Sequence, residues 1–238
     1  MYYSQYRQDK FLDKIVFNGK RNGFFVDIGA HDGLAISNSL FFEKSRNWLG
    51  VCVEPNPTVF ERLEQNRRSK NLNICIGSGN KIVSFTKIEG YAEMLSGVTD
   101  RYAPNHLKRI EKETSIHGGN LQTISVEMKR FDAIEDFNNI PIDFISIDTE
   151  GNELDIIKSI DFKNSNIKCF VIENNYNDPR ISEILKQNEY KHIAKLACDD
   201  VYIYKYQLTF FFKIRLIFWR IIISKFNKNL FTKISNLK

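Results

Sequence analysis

GFFVDIGAHDG, residues 23–33, is an apolar run of strand type that ends in an aspartate and then in two glycines four residues apart. A strand that finishes this way hands the chain to a turn close enough for its backbone to touch a ligand. Working outward, similar apolar runs recur at GVCVEP (50–55), LNICIGS (72–78), DFISIDT (143–149) and KCFVIEN (168–174). Between them SNSLFFEKS (37–45), PTVFERLEQNRRS (57–69), NELDIIKSI (152–160) and PRISEILKQN (179–188) have helical spacing and capping residues. Strands alternating with helices predict βαβ units and a parallel sheet, and near-continuous apolar strands are those buried on both faces. YKHIAKLA (190–197) and VYIYKY (201–206) are separated only by CDD, which predicts an antiparallel hairpin at the sheet edge. The expected fold is α/β and Rossmann-like, a mostly parallel seven-stranded sheet with that edge hairpin.

A polar stretch, residues 93–122, stands between the hairpin-like VSFTKI and ISVEMKR. An insertion there is either a substrate-side lid or a solvated helical excursion. Length and composition bound the rest. The chain of 238 residues suits one sizeable domain with a packed core. Its net charge of +5 divides unevenly: no Asp or Glu follows Asp200, so residues 201–238 carry +8 and residues 1–200 carry −3. A mildly acidic body argues against nucleic acid as a partner, since phosphate contacts need clustered Lys and Arg. Cys52, Cys75, Cys169 and Cys198 have no metal-finger spacing and read as buried free thiols in a reducing compartment. The first residues lack an apolar stretch of signal-peptide length, so a cytoplasmic location is expected.

A dinucleotide site would read GxGxxG, with three glycines for the pyrophosphate. Here Gly29 and Gly33 stand alone around Ala30, His31 and Asp32, and the pyrophosphate nest is missing. What remains suits a nucleoside without phosphates. Glu54, closing the second strand, can accept from both ribose hydroxyls, Gly29 admits an amino-acid moiety and Asp27 faces its ammonium. S-adenosylmethionine has those parts.

The segments YSQYRQDKFL (3–12), GFFVDIGAHDG (23–33), SNSLFFEK (37–44), WLGVCVEPNP (48–57) and IDFISIDTEGNELDII (142–157) together resemble the FkbM-type methyltransferases, a branch of the class I S-adenosylmethionine-dependent enzymes. The resemblance implies O-methylation, most often of sugar hydroxyls on glycans, glycolipids or glycosylated natural products. It implies that Asp27, Gly29 and Glu54 bind the cofactor, with Ser78 near the adenine and Ser4, Gln5 and Asp9 closing over the pocket. His31 and Gly33 belong to the same glycine loop. Arg7 stands where glycine is more usual.

A second constellation lies one strand pair away. DFISIDTEGNE places Asp148 at a strand end with Glu150 and Glu153 following, and VIENNY places Glu173 and Asn174 beside it. Glu153 reads mainly as a helix cap. Asp148, Glu173 and Asn174 are similar to the magnesium site of catechol-type O-methyltransferases, and oxygen donors suit Mg or Mn. Without a metal the same acids are loop hydrogen-bonding groups or a proton acceptor. A sugar hydroxyl is too weak an acid to attack a sulfonium unaided, so Asp148, Glu150 or His31, whose imidazole titrates near neutrality, is the expected catalytic group. His106 and His117 in the insertion could reach an acceptor.

Two rival functions are a nicotinamide-dependent oxidoreductase on a related fold and a non-catalytic binding or scaffold protein. The two-glycine loop opposes the first; Asp27, Glu54 and Asp148 occurring together oppose the second. The expected division is a methyltransferase domain over 1–206 and a basic, apolar helical tail over 207–238. LTFFFKIRLIFWRIII (208–223) has twelve apolar residues in sixteen, broken by three charges, so it is not a spanning helix. Thr209, Lys213, Arg220, Ser224 and Asn227 share its polar face. It reads as an interfacial helix at the inner membrane face or as a homo-oligomer contact.

Overall fold

The computed structural model describes residues 1–137, 140–226 and 232–234, with side chains as far as Trp219. Twelve strands are described: β1 (Phe24–Ile28), β2 (Leu49–Val53), β3 (Lys70–Leu72), β4 (Cys75–Ile76), β5 (Lys81–Ile88), β6 (Gly97–Val98), β7 (Leu121–Lys129), β8 (Phe144–Ile147), β9 (Cys169–Glu173), β10 (Tyr190–Leu196), β11 (Asp199–Tyr204) and β12 (Thr232–Ile234). The main sheet runs β3-β2-β1-β8-β9-β11-β10, with β12 added antiparallel beyond β10. β1, β2, β3, β8 and β9 are parallel, and the β10/β11 hairpin reverses direction at the edge, as the sequence predicts. The chain winds outward from β1 to β3 and returns on the other side of β1 at β8. That switch in direction opens a crevice at the carboxyl ends of the strands.

Both faces of the sheet are buried, which explains the unbroken apolar runs. Successive residues point to opposite faces, so in β1 and β8 Val26 and Ile145 join an aliphatic layer while Phe25 and Phe144 join an aromatic one. The aromatic layer gathers Phe42, Trp48 and Phe144, with ring centroids 4.7 and 5.1 Å from Phe42. The predicted helices form at Leu40–Arg46, Pro57–Asn66, Glu153–Lys158 and Pro179–Gln187. Asn56 caps the second of these, its Oδ1 accepting from Thr58 N at 3.2 Å, and proline at the first turn leaves no amide stranded there.

One expected strand is two. The run 72–78 breaks at Asn73, whose Nδ2 donates to the carbonyls of Glu54 and Pro55 at 2.8 and 3.1 Å. β3 therefore stays beside β2, and β4 crosses to a second sheet of order β4-β7-β5-β6. In that sheet β5 and β7 pair antiparallel over their full length, from Lys81 opposite Met128 to Ile88 opposite Leu121. The insertion folds onto it as short turns, β6 and the helix Pro104–His117.

At the amino end Asp9 accepts from the amides of Tyr3 and Ser4 and from the Ser4 hydroxyl, which ties a tight loop. Arg7, at φ 64°, takes the left-handed conformation there. A glycine adopts that conformation without a Cβ penalty, so arginine is the costlier residue there.

The tail departs from an all-helical reading. The helix Phe210–Phe226 is followed by β12; residues 227–231 and 235–238, Asn227 among them, lie outside the described residues, as do the side chains of Arg220 and Ser224. Phe212, Leu216 and Trp219 are buried against the amino-terminal segment, the Trp219 ring 5.8 Å from that of Phe11. Arg215, on this apolar side, donates from Nε to the Ile15 carbonyl at 3.1 Å. Among the described residues no helix is long and apolar enough to cross a membrane. The four cysteines are free; burial pushes the Cys52 and Cys75 thiols up to about 12, so neither is a nucleophile at neutral pH.

Candidate active site

One deep cleft opens at the switch point. Its floor is the carboxyl ends of β1, β2, β8 and β9, and its outer wall comes from the second sheet and the insertion, through Phe85, Met94, Val98 and Arg109. The insertion is thus part of the cleft. Of the residues read from sequence, Gln5, Asp27, Gly29, His31, Glu54, Asp148, Glu150 and Glu173 line it.

Gly29 is demanded by backbone crowding: at φ +83° any Cβ would sit 1.7 Å from the Asp148 carbonyl oxygen. This close approach brings the ends of β1 and β8 together. Gly33, at φ +76°, lies outside the cleft, packed on Leu63 and Arg67, so its place is in the turn. Ser78 is likewise not brought in. The crossing of β4 leaves it exposed, its hydroxyl 3.4 Å from Asp155. Ser4 and Asp9 bond to each other, and Gln5 alone of that loop faces the cleft.

Glu54 is held by two backbone amides, His31 N on Oε2 at 3.0 Å and Asn56 N on Oε1 at 2.8 Å. Burial nevertheless pushes its carboxyl up to about 7. Asp27 accepts from the Ser39 hydroxyl at 2.5 Å; burial raises it, and the buried Arg67 guanidinium and neighbouring serines oppose the rise. His31 spends Nε2 on Glu93 at 3.0 Å, and Arg62 binds the same Glu93. His31 therefore belongs with Glu54 at the β1/β2 end of the cleft.

The acids at the β8/β9 end form a different set from the one the sequence suggests. Carboxylate oxygens of Asp148, Glu150 and Glu173 lie within 4.8 Å of one another. Asn174 is turned away: its Oδ1 accepts from Asp178 N at 2.7 Å and its Nδ2 donates to Asp200 at 3.1 Å, because the residue after Glu173 points to the opposite side of the strand end. Glu150 takes its place through a left-handed turn at φ 56°. Glu153, expected to cap its helix, instead fastens the preceding loop, accepting from the Thr149 and Gly151 amides at 3.1 and 3.0 Å. From the insertion His106, buried and stacked on Tyr102, sets Nδ1 3.3 Å from Glu150, and Arg109 lies 3.7 Å from it. His117 stays outside, beside Glu113 and Tyr91.

Burial raises all three acids: Glu150 to about 7, with Arg109 opposing the rise, Glu173 to about 8, with repulsion from Glu150 adding to it, and Asp148 well above the carboxylate range, with repulsion from Glu173 and Glu150 adding to it. These carboxyls, with Glu54, hold their protons in the folded chain to a higher pH than in the unfolded one. Their stabilising contribution is full below about 4.5 and is lost as pH rises through 7 and 8. His106, lowered by burial, acts in the opposite sense below its ordinary 6.5. The cofactor-free protein is expected to melt several degrees lower at pH 8 than at pH 5, by differential scanning calorimetry. A melting temperature rising over that range would show the four carboxyls ionised in place.

The cleft also holds residues whose sequence signal was ambiguous. Buried side-chain atoms without a partner include Asn38 Oδ1, Asn56 Nδ2 and Asn152 Oδ1, and all three residues line the cleft. Unpaired buried polar atoms are costly, and all three belong to residues of one cleft. Asn38 stands by Ser146 near Asp27, Asn56 by Glu54, and Asn152 by the Ile76 carbonyl, which places acceptors and a donor at three points along the floor.

A family model described as the methyltransferase FkbM domain matches residues 27–204. No curated protein sequence matches the chain. Among solved structures it is similar to the METTL16 methyltransferase domain (11% identity, TM-score 0.48, covering 83% of this chain and 66% of that one). It is similar also to precorrin-6y C5,15-methyltransferase from Geobacter metallireducens (13%, 0.40, 83% and 87%) and to M. capricolum TrmK in complex with S-adenosyl-homocysteine (9%, 0.41, 85% and 68%). With the family match running from the aspartate of β1 to the end of β11, the chain belongs to the FkbM methyltransferase family and is an S-adenosylmethionine-dependent methyltransferase.

Proposed function

We propose that the protein is an O-methyltransferase acting on a hydroxyl of a sugar-containing acceptor. The observation that carries this reading is the convergence of Asp148, Glu150 and Glu173 at the carboxyl ends of β8 and β9, in the same cleft as Asp27 and Glu54. Bound S-adenosylmethionine supplies an electrophilic methyl on a sulfonium. The chain's residues would divide the rest: Asp27 and Asn38 take the ammonium, Glu54 and the Asn56 amide take the ribose diol, and Asn152 Oδ1 accepts from the adenine amine.

The acid cluster then receives the acceptor. Near neutral pH three carboxyls this close share protons rather than ionise together, so one is an ionised base while a neighbour donates a hydrogen bond. Asp148, once ionised, would take the proton of the acceptor hydroxyl that receives the methyl the bound cofactor would supply. Positioning supplies much of the acceleration, with the walls of the cleft fixing the angle of attack. An all-oxygen triad also has the donor chemistry for Mg or Mn, which would lower the pKa of a bound hydroxyl. The sugar rests on the family resemblance and on the need of a weakly acidic hydroxyl for such a base.

The test is mass spectrometry of glycan and lipid-linked sugar acceptors incubated with isotopically labelled cofactor. A gain of one labelled methyl on a sugar oxygen supports the reading; transfer only to nitrogen or carbon acceptors overturns it. A thermal-shift comparison of S-adenosylmethionine with nicotinamide cofactors separates it from the oxidoreductase alternative.

A further inference from the structure

Over its described side chains, Phe210 to Trp219, the helix Phe210–Phe226 carries two apolar faces, and the core covers one of them. Phe212, Leu216 and Trp219 are buried on the amino-terminal segment. At about 100° per residue, Phe210, Phe211, Ile217 and Phe218 fall on the opposite side. There Phe210 and Phe211 are each 72% exposed, Phe218 61% and Ile217 55%. Tyr206, just before the helix, is 71% exposed, with the Lys205 ammonium over its ring. A contiguous patch of this kind marks an interaction surface.

Charge selects the occupant. Lys213 flanks the apolar arc on one side, Arg215 on the other is tied through Nε to the Ile15 carbonyl, and residues 201–238 hold eight Lys and Arg with no Asp or Glu. Two copies packed face to face through this helix would bring both basic segments together without counter-charge. An anionic lipid surface reverses the sign of that interaction: phenylalanines enter the headgroup boundary while lysines reach phosphates. We infer that this face docks the protein on an anionic membrane as a peripheral, non-spanning contact. It holds the cleft at a surface and does not depend on which acceptor the cleft takes.

The experiment is co-sedimentation of the full chain with vesicles of phosphatidylglycerol and phosphatidylcholine, against vesicles of phosphatidylcholine alone. Binding is expected to the mixed vesicles only and to weaken with salt. The double variant Phe211→Ser/Phe218→Ser should weaken it by about tenfold or more, from the apolar area each ring loses. Both residues are exposed, so the thermal unfolding and cofactor affinity of the variant should match those of the wild type. No binding to mixed vesicles, equal binding by the variant, or a stable dimer in sedimentation velocity that the variant dissolves would each overturn the inference; the last would assign the face to a second copy.

Discussion

Asp148→Asn is expected to lower turnover roughly 10²- to 10⁴-fold, the range lost with a positioned general base, while cofactor affinity stays within about tenfold. The substitution keeps the shape of the side chain and removes the charge that takes the proton. Asp148 follows β8 directly, with carboxylate oxygens of Glu150 and Glu173 within 4.8 Å; burial first and then these neighbours hold its pKa up. Single-turnover kinetics and calorimetric titration with S-adenosylmethionine separate the two effects. A chelator arm divides the two roles of the cluster. If turnover stops on chelation and returns with Mg or Mn, the triad works through a cation; if chelation changes nothing and Asp148→Asn is inactive, the carboxylate is the base itself. Full activity in both would remove the triad from the chemistry.

Gly29→Ala should cost on the order of 3 kcal/mol or more, the sum of overpacking and a left-handed residue. The added methyl meets the Asp148 carbonyl, which is backbone and cannot rotate aside. The expected fall in melting temperature is roughly 6–12 °C for a chain of this size, accompanied by loss of cofactor binding because β1 and β8 are pushed apart at the cleft floor. Gly79→Ala is the matched control: its Cβ would meet nothing within 4 Å, and its melting temperature should stay near wild type. Unchanged melting of Gly29→Ala would mean the two strand ends are free to separate.

Much of this was readable in the chain because buried parallel strands announce themselves as unbroken apolar runs and because ligands of such sheets meet the residues that follow the strands. Gly29, Glu54 and Asp148 are residues of that kind, and Asp27 is the last residue but one of β1. The errors have local causes. Residues 72–78 look like one strand because apolar periodicity is blind to Asn73, whose side chain replaces the ladder with two bonds to carbonyls. Ser78 was displaced by the same event. Asn174 and Glu150 exchanged places because the twofold alternation of a strand end and a left-handed turn decide which carboxylate faces inward, and neither leaves a compositional mark. Asn38, Asn56 and Asn152 were passed over since asparagine at a helix start signals a cap equally well, and Asn56 is both a cap and a cleft residue.

The second sheet is built from one uninterrupted stretch, from Cys75 to Lys129, spliced into the main sheet between β3 and β8. Asp27, Gly29, Glu54, Asn38, Asn56 and Asn152 of the cleft floor lie outside that stretch, while Phe85, Met94, Val98 and Arg109, the far wall of the cleft, lie inside it. The molecule is therefore a socket and a cassette. Exchanging the cassette between relatives redraws the wall opposite the donor and leaves the socket's own strand pairings untouched, so new acceptors can be sampled by recombination at two junctions rather than by many separate substitutions.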